Sequence, residues 1–187
     1  MRIPGKQIIL SAVIAIRIIP LGAVDNSVLN YLKENLSRIF NAQVYIGKRE
    51  PLPAYAYSKA RGQYASRDIL NYLARTKEVQ EEKVLAVINK DIHAGRFNFV
   101  FGQAGPPSGV SIISLFRLYP SYYHLPGDKD LLRKRALKEA VHEIGHLFNL
   151  GHCPEPVCVM HFSNTISDTD KKDYQFCAKC QRNLVDK

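Results

Sequence analysis

The stretch His142-Glu143-Ile144-Gly145-His146-Leu147-Phe148-Asn149-Leu150-Gly151-His152-Cys153 decides the reading of this chain. Histidines four residues apart on a helix lie on one face, a turn above each other, so both imidazoles can reach one ion. Glu143 is turned from His142 by about 100°, one residue's rotation at 3.6 residues per turn. Its carboxylate therefore sits beside that ion, where it can take a proton from water the ion has activated. Upstream, Leu132, Ala136, Ala140, Ile144 and Phe148 step by four, Leu137, Val141 and Leu147 widen the face, and Gly127-Asp128 opens the segment. This is the pattern of an amphipathic helix, over about 129–150, ending between Asn149 and Gly151. A left-handed residue just past a helix end reverses the chain, and asparagine is among the non-glycine residues that best tolerate positive φ. Such a reversal returns His152 as a third imidazole. Three neutral histidines leave zinc a fourth position for water, the open geometry of a catalytic site.

The cysteines, Cys153, Cys158, Cys177 and Cys180, all fall near the C-terminal end. A Cys-x4-Cys pair beside a Cys-x2-Cys pair suits one tetrahedral all-thiolate zinc, closed to water and contributing to folding. Two disulfides are the alternative. A thioredoxin-like role for the last pair is weaker, because no βαβ pattern follows it. Met160, taken alone, is an apolar packing residue.

Taken together, the three spaced histidines, then Cys153, Cys158-Val159-Met160 and Cys177-Ala178-Lys179-Cys180, resemble the signature of the archaemetzincins, a family of metzincin-clan zinc metallopeptidases. Asn98-Phe99-Val100-Phe101-Gly102 and Leu115-Phe116-Arg117-Leu118 resemble further family segments, and the similarity runs from about residue 13 to the end. Asn149 stands where the metzincin pattern has glycine, and the run between Met160 and Cys177 is slightly shorter than the family pattern. The resemblance implies an α/β zincin-like (metzincin) fold: a twisted mixed β-sheet with packed helices, an active-site helix, and a small C-terminal subdomain with a Met-turn and a four-cysteine zinc site. It implies two Zn2+ per chain, one catalytic on His142, His146 and His152 and one structural on the four cysteines, with Glu143 catalytic and Met160 as the Met-turn residue. Cys158 lies two residues before Met160, so a metal held there would pin that turn beneath the histidines. Metzincins align an extended peptide against an edge strand, which here falls on Phe97 to Gly102. Asn98, Phe99, Val100 and Phe101 thereby become substrate-binding candidates, though a buried interior strand explains the same residues. Phe162 is a candidate wall of a substrate side-chain pocket. Glu139 reads either as a group behind His142 or as an exposed partner for a lysine, and His93, His124 and His161 are unassigned.

Elsewhere the apolar run from Ile8 to Ile16, continuing to Pro20 and Gly22, predicts a buried strand. An export signal is the alternative, but more apolar chain follows Arg17 and no small-x-small cleavage site is seen. Val28, Leu32, Leu36 and Phe40 predict a helix capped by Asp25, Asn26 or Ser27. Ala42 to Ile46 predicts a strand, residues 51–65 an irregular loop, and Ser66 a second helix with Ile69, Leu70 and Leu73 inward. Further strands are expected at Val84 to Ile88, Phe97 to Phe101 and Val110 to Leu118, the last after a turn at Gly105-Pro106-Pro107-Ser108-Gly109. Strands alternating with helices indicate an α/β or α+β sheet domain. The implied organisation is an N-terminal extension 1–11, a zincin subdomain 12–151 and a C-terminal subdomain 152–187.

With 187 residues, 46% hydrophobic and 23% charged, the chain suits one compact domain, or one domain plus a small appendage, and excludes a disordered or collagen-like protein. No stretch reaches the roughly 20 apolar residues of a membrane span. A net charge of +9 raises the question of acidic partners. The basic cluster Arg133, Lys134, Arg135 and Lys138 reads as a solvated helix face without interleaved aromatics, so nucleic acid is not an expected partner. The expectation is a monomeric, cytoplasmic zinc metallopeptidase acting on peptides. One alternative is a zinc-binding module that holds nucleic acid, recognisable by steeply salt-dependent binding without cleavage. The other is a zincin scaffold that binds peptides with negligible turnover, which a peptide-library cleavage assay would expose.

Overall fold

In the computed structural model, which describes residues 14–185, the apolar run ending at Gly22 forms strand β1 (Ala15–Leu21). The part of the expected strand before residue 14, and the extension 1–11, lie outside the described residues. Asp25 accepts the Ser27 amide at 2.8 Å and opens helix α1 (Asn26–Phe40), whose Val28, Leu29, Leu32, Leu36 and Phe40 turn inward as their spacing requires. Strand β2 (Gln43–Ile46) follows, then β3 (Tyr57–Ser58), β4 (Gln63–Ala65), α2 (Ser66–Thr76), β5 (Lys83–Ile88), β6 (Ile92–His93), β7 (Gly102–Gly105) and β8 (Val110–Ser114). Helices α3 (Lys129–Leu147), α4 (Ile166–Lys171) and α5 (Ala178–Val185) complete the chain.

The main sheet has the order β2-β1-β5-β8-β7. Its first four strands are parallel and β7 runs antiparallel at the edge, so the sheet is mixed. Strand β5 is buried on both faces, which is why it reads as an uninterrupted apolar run. Leu85 and Val87 face α1 and α3 together with Ile16, Ile18 and Ile113. Val84, Ala86 and Ile88 face α2 with Ile19, Leu21 and Ile112. Period-two alternation thus sorts the strands' side chains into two cores, one on each side of the sheet.

Four expectations need correction. Residues 51–65 are not merely a loop: Tyr57–Ser58 and Gln63–Ala65 pair with each other, and the latter with Ile92–His93, in a small second sheet. Phe97 to Phe101 is not a strand, because the carbonyls of Phe97 and Asn98 are taken by side chains, and only Phe101 O accepts a backbone amide of the neighbouring strand, from Ser114 at 2.8 Å. Arg61 donates to Phe97 O and Asn98 O (2.9 and 3.2 Å), and Gln63 to Asn98 O (2.9 Å). The edge strand begins one residue later, at Gly102. The strand expected through Leu118 stops at Ser114, whose hydroxyl accepts the Phe116 amide and opens a turn. Nor is the basic face of α3 wholly solvated. Arg135 is buried, grips Asp170 through two 2.7 Å bonds and donates to Leu118 O, while Lys138 donates to Thr169 O and Asp170 O. These contacts fasten α4 to α3.

Candidate active site

Helix α3 starts at Asp128, whose carboxylate accepts the amides of Asp130 and Leu131, and is buried almost all round in its second half. It ends at Leu147, slightly before the expected boundary. Asn149 adopts φ 59°, the Leu150 amide bonds Gly145 O at 3.1 Å, and the Asn149 amide bonds His146 O at 2.9 Å. This is a Schellman reversal with asparagine in the left-handed position. It turns the chain so that His152 faces the helix it has just left.

The three imidazoles converge. Their ring centroids lie 4.6 Å (His142–His146), 5.3 Å (His142–His152) and 4.9 Å (His146–His152) apart, and one ring nitrogen from each lies within 4.8 Å of the others. His142 Nδ1 donates to Val159 O at 2.8 Å and His146 Nδ1 to Leu150 O at 2.7 Å. Those bonds put the proton on Nδ1 and leave a lone pair on each Nε2. The two Nε2 atoms face each other at 3.1 Å, an arrangement that repels unless a cation lies between them. Nitrogens on a tetrahedral zinc with bonds of about 2.0–2.1 Å stand about 3.3 Å apart, so the residues fit that ion. Burial lowers the pKa of all three rings, most strongly that of His142, where the Lys172 charge adds to it. They are held in the neutral form a metal requires.

Glu143 is buried beside them, and burial, then the Glu139 carboxylate, pushes its carboxyl well above the usual range. Its side chain lies against Gly102, where a Cβ would fall 2.6 Å from Oε1. A cleft of about 590 Å³ opens over the histidines. Residues 96–104 form one wall, α3 presents Glu139, His142, Glu143 and His146, and Phe162, Ser163 and Asn164 form another side. Asn98, Phe99, Val100 and Phe101 line it, and the Phe162 ring lies 5.0 Å from that of His152. The loop wall is braced from behind: Arg117 stacks on Phe99 at 4.2 Å and is held by Asp91 at 2.7–2.8 Å.

The four cysteines are brought together as free thiols, their sulfurs all within 4.8 Å of one another. Cys153 and Cys177 sulfurs are 3.8 Å apart, the spacing of about 3.8 Å that Zn–S bonds of ~2.3 Å impose in a tetrahedron. The amide of Cys180 and the neighbouring thiols lower the Cys177 pKa to about 7, while burial raises those of Cys158 and Cys180. Between the clusters runs Cys158-Val159-Met160. Met160 O accepts the Cys153 amide at 2.9 Å, and its sulfur packs on Gly145, where a Cβ would fall only 2.5 Å away. His161 donates from Nδ1 to Cys153 O at 3.0 Å.

Several residues here carry no sequence signal beyond their type. Gly102 and Gly145 are needed as bare backbone, because a carboxylate and a sulfur lie against them. Glu139 does pair with a lysine, but both are buried: Lys172 Nζ lies 3.0 Å from Oε1 and is wholly inaccessible. Only the Glu-x-x-His spacing pointed towards this position.

Residues 12–186 match the model of a family described as peptidase family M54. Archaemetzincins from Pyrococcus furiosus and Methanocaldococcus jannaschii are 43% and 44% identical, over 91% and 90% of this chain and 92% and 91% of their own. Among solved structures, a zinc-dependent peptidase from Methanocorpusculum labreanum superposes with a TM-score of 0.84 at 29% identity, covering 91% of this chain and 100% of that one. Archaemetzincin from Archaeoglobus fulgidus, solved as a malonate complex, gives 0.79 at 37% identity over 91% and 99%.

Proposed function

The chain belongs to peptidase family M54, the archaemetzincins, and is a zinc metallopeptidase; on that premise we propose that His142, His146 and His152 hold the hydrolytic zinc and that Glu143 carries the protons. Zinc bound there would polarise the scissile carbonyl and lower the pKa of water from about 15.7 towards roughly 7. Glu143 accepts the proton of the attacking water and delivers it to the leaving amine, a contribution of ~10²–10⁴ in rate. Its placement supports this reading, because the carboxylate is buried beside the imidazoles and held against the bare backbone of Gly102. The observation that carries the proposal is the convergence of three imidazoles, two of which, His142 and His146, already commit their Nδ1 protons to backbone carbonyls.

Cys153, Cys158, Cys177 and Cys180 would hold a second zinc, making two per chain, and Met160 braces the histidines from below. The substrate is a peptide laid extended beside the edge strand β7, a strand-addition mode that supplies main-chain bonds. Asn98, Phe99, Val100, Phe101 and Phe162 contact its side chains. Residues 12–151 then act as the subdomain that presents the catalytic helix, and 152–187 as the one that supplies His152, the methionine turn and the thiolates. Thiols kept for metal rather than disulfides fit a reducing compartment, and we read the protein as a cytoplasmic monomer. No helix among the described residues is long and apolar enough to cross a membrane.

The test is Glu143→Gln. It should retain two zinc ions per chain, one removable by mild chelation, and lose peptide hydrolysis by ~10²-fold or more. Near-normal turnover would remove Glu143 from the mechanism.

A further inference from the structure

The cleft holds polar groups that hydrolysis does not use. Glu139, one helical turn before His142 and Glu143, lines it although the residue is only 3% exposed. Its Oε1 is engaged by Thr169 Oγ1 and by Lys172 Nζ, each at 3.0 Å. Its Oε2 is not a buried orphan, so the second carboxylate oxygen stays open to the cleft that the residue lines. Lys172 lies behind it, 0% exposed at the side chain, and contributes its charge but no well-directed hydrogen bond. On the segment after Met160, Ser163 also lines the cleft, and its Oγ is buried without a partner. Buried polar atoms are nearly always satisfied in a native structure. The orphaned Ser163 Oγ is therefore best explained by a ligand that meets it, and Glu139 lines the same cleft with a carboxylate that can accept.

We propose that Glu139 and Ser163 form the polar end of a side-chain pocket beside the scissile bond, selecting residues with N–H donors at the tip: glutamine, lysine or arginine. The proposal rests on the reading of this cleft as the peptide site. Glu139 lies three to four residues from His142 and Glu143, about 4.5–6 Å along the helix at 1.5 Å per residue. That is the reach of a long unbranched side chain whose backbone is held at the histidines. Phe162 supplies apolar surface for its methylenes, as long polar side chains need. Lys172 offsets the charge of Glu139, so selection works through hydrogen bonding, and a neutral amide competes with the cations. A site built to hydrogen-bond a substrate group rejects an analogue without it more steeply than an apolar slot rejects a missing methylene.

The experiment profiles the zinc-loaded chain on a peptide library varied at both residues flanking the cleaved bond. In parallel, the Glu143→Gln protein is titrated with matched peptides carrying glutamine, lysine or leucine at those positions. At one flanking position the donor-tipped residues should be preferred over leucine and methionine by 10-fold or more, in cleavage and in binding. Glu139→Leu combined with Lys172→Met removes both charges together, leaving no unpaired buried ion, and should invert that preference with zinc content unchanged. Ser163→Ala should weaken it several-fold in a fully folded protein. Equal handling of leucine and glutamine by the wild type, or an unchanged profile in both sets of variants, overturns the pocket. If no peptide is cleaved, the hydrolytic reading falls, and the binding comparison still decides the pocket on its own.

Discussion

Replacing Gly102 with alanine puts a new Cβ 2.6 Å from Glu143 Oε1, 2.7 Å from its Cγ and 2.9 Å from its Cδ. Ordinary contact begins near 3.5 Å, so about 1 Å must open. Two routes exist. The backbone can move apart, but Gly102 is laddered to Ile113 on β8 and Glu143 sits mid-helix, and overpacking of that kind costs ~1–3 kcal/mol. Alternatively the Glu143 side chain leaves its rotamer, at ~0.5–1.5 kcal/mol for a swing of about 30°. The second route is cheaper and wins. Replacing glycine in a strand returns roughly 0.5–1 kcal/mol of conformational entropy, so stability changes little. Activity does not share that compensation, since a misplacement of about 1 Å costs on the order of 10² in rate. The assay is steady-state peptide hydrolysis beside zinc analysis and thermal melting. The expected result is kcat down ~100-fold with zinc content kept and a melting temperature within a few degrees of wild type. Wild-type turnover in a folded G102A protein would refute the contact; lost zinc would show that the backbone, not the carboxylate, gives way.

Gly145→Ala sets a helix-propensity gain of about 1 kcal/mol against a Cβ placed 2.5 Å from the sulfur of a wholly buried Met160, an overpacking worth ~1–3 kcal/mol. A lower melting temperature and weaker histidine-site zinc are expected, and a variant more stable than wild type would show that Met160 yields. Cys177→Ser should release the zinc proposed at the four cysteines and slacken the one proposed at the histidines as well, because Val159, next to Cys158, orients His142; full activity with the histidine zinc intact discards the coupling. Asp168 accepts the Thr165 hydroxyl and amide at the start of α4, bonds that hold its carboxyl below the usual value. A depressed folded pKa means its stabilisation is present above the unfolded value of about 3.9 and is lost as pH falls through the folded one. Asp168→Asn should therefore lower the melting temperature at neutral pH and flatten its fall below about pH 4; parallel acid profiles would exclude this role.

What the sequence disclosed was what local periodicity encodes. The inward residues of α1, the continuous run of β5 and the four-residue steps of α3 each reflect a contact pattern repeated within one element. The histidine trio was legible because its ligands fall within one helix end and one reversal, and Asn149 takes the left-handed conformation its chemistry allows. Where reading failed, the deciding partner lay far along the chain. Phe97 to Phe101 looks like a strand until Arg61 and Gln63 claim the carbonyls of Phe97 and Asn98. Arg135 and Lys138 look solvated until Leu118 and α4 close over them. Glycines at 102 and 145 read as breakers, and only packing reveals that each makes room for a named side chain.

The two clusters are also interlocked in a way that spacing alone does not convey. His142 takes its orienting carbonyl from Val159, the residue between Cys158 and Met160. His146 takes its own from Leu150, within the reversal that delivers His152. The Cys153 amide, one residue after His152, closes on Met160 O, and the Cys177 amide closes on Cys158 Sγ at 3.3 Å. His142 and His146 are therefore each set by chain that also delivers another part of the site. A carbonyl that orients a ring determines which nitrogen faces the ion, so anything that loosens the thiolate end reaches His142 through a single hydrogen bond. On the proposed assignment, that bond is the route by which the cysteine site would act on hydrolysis without touching the substrate.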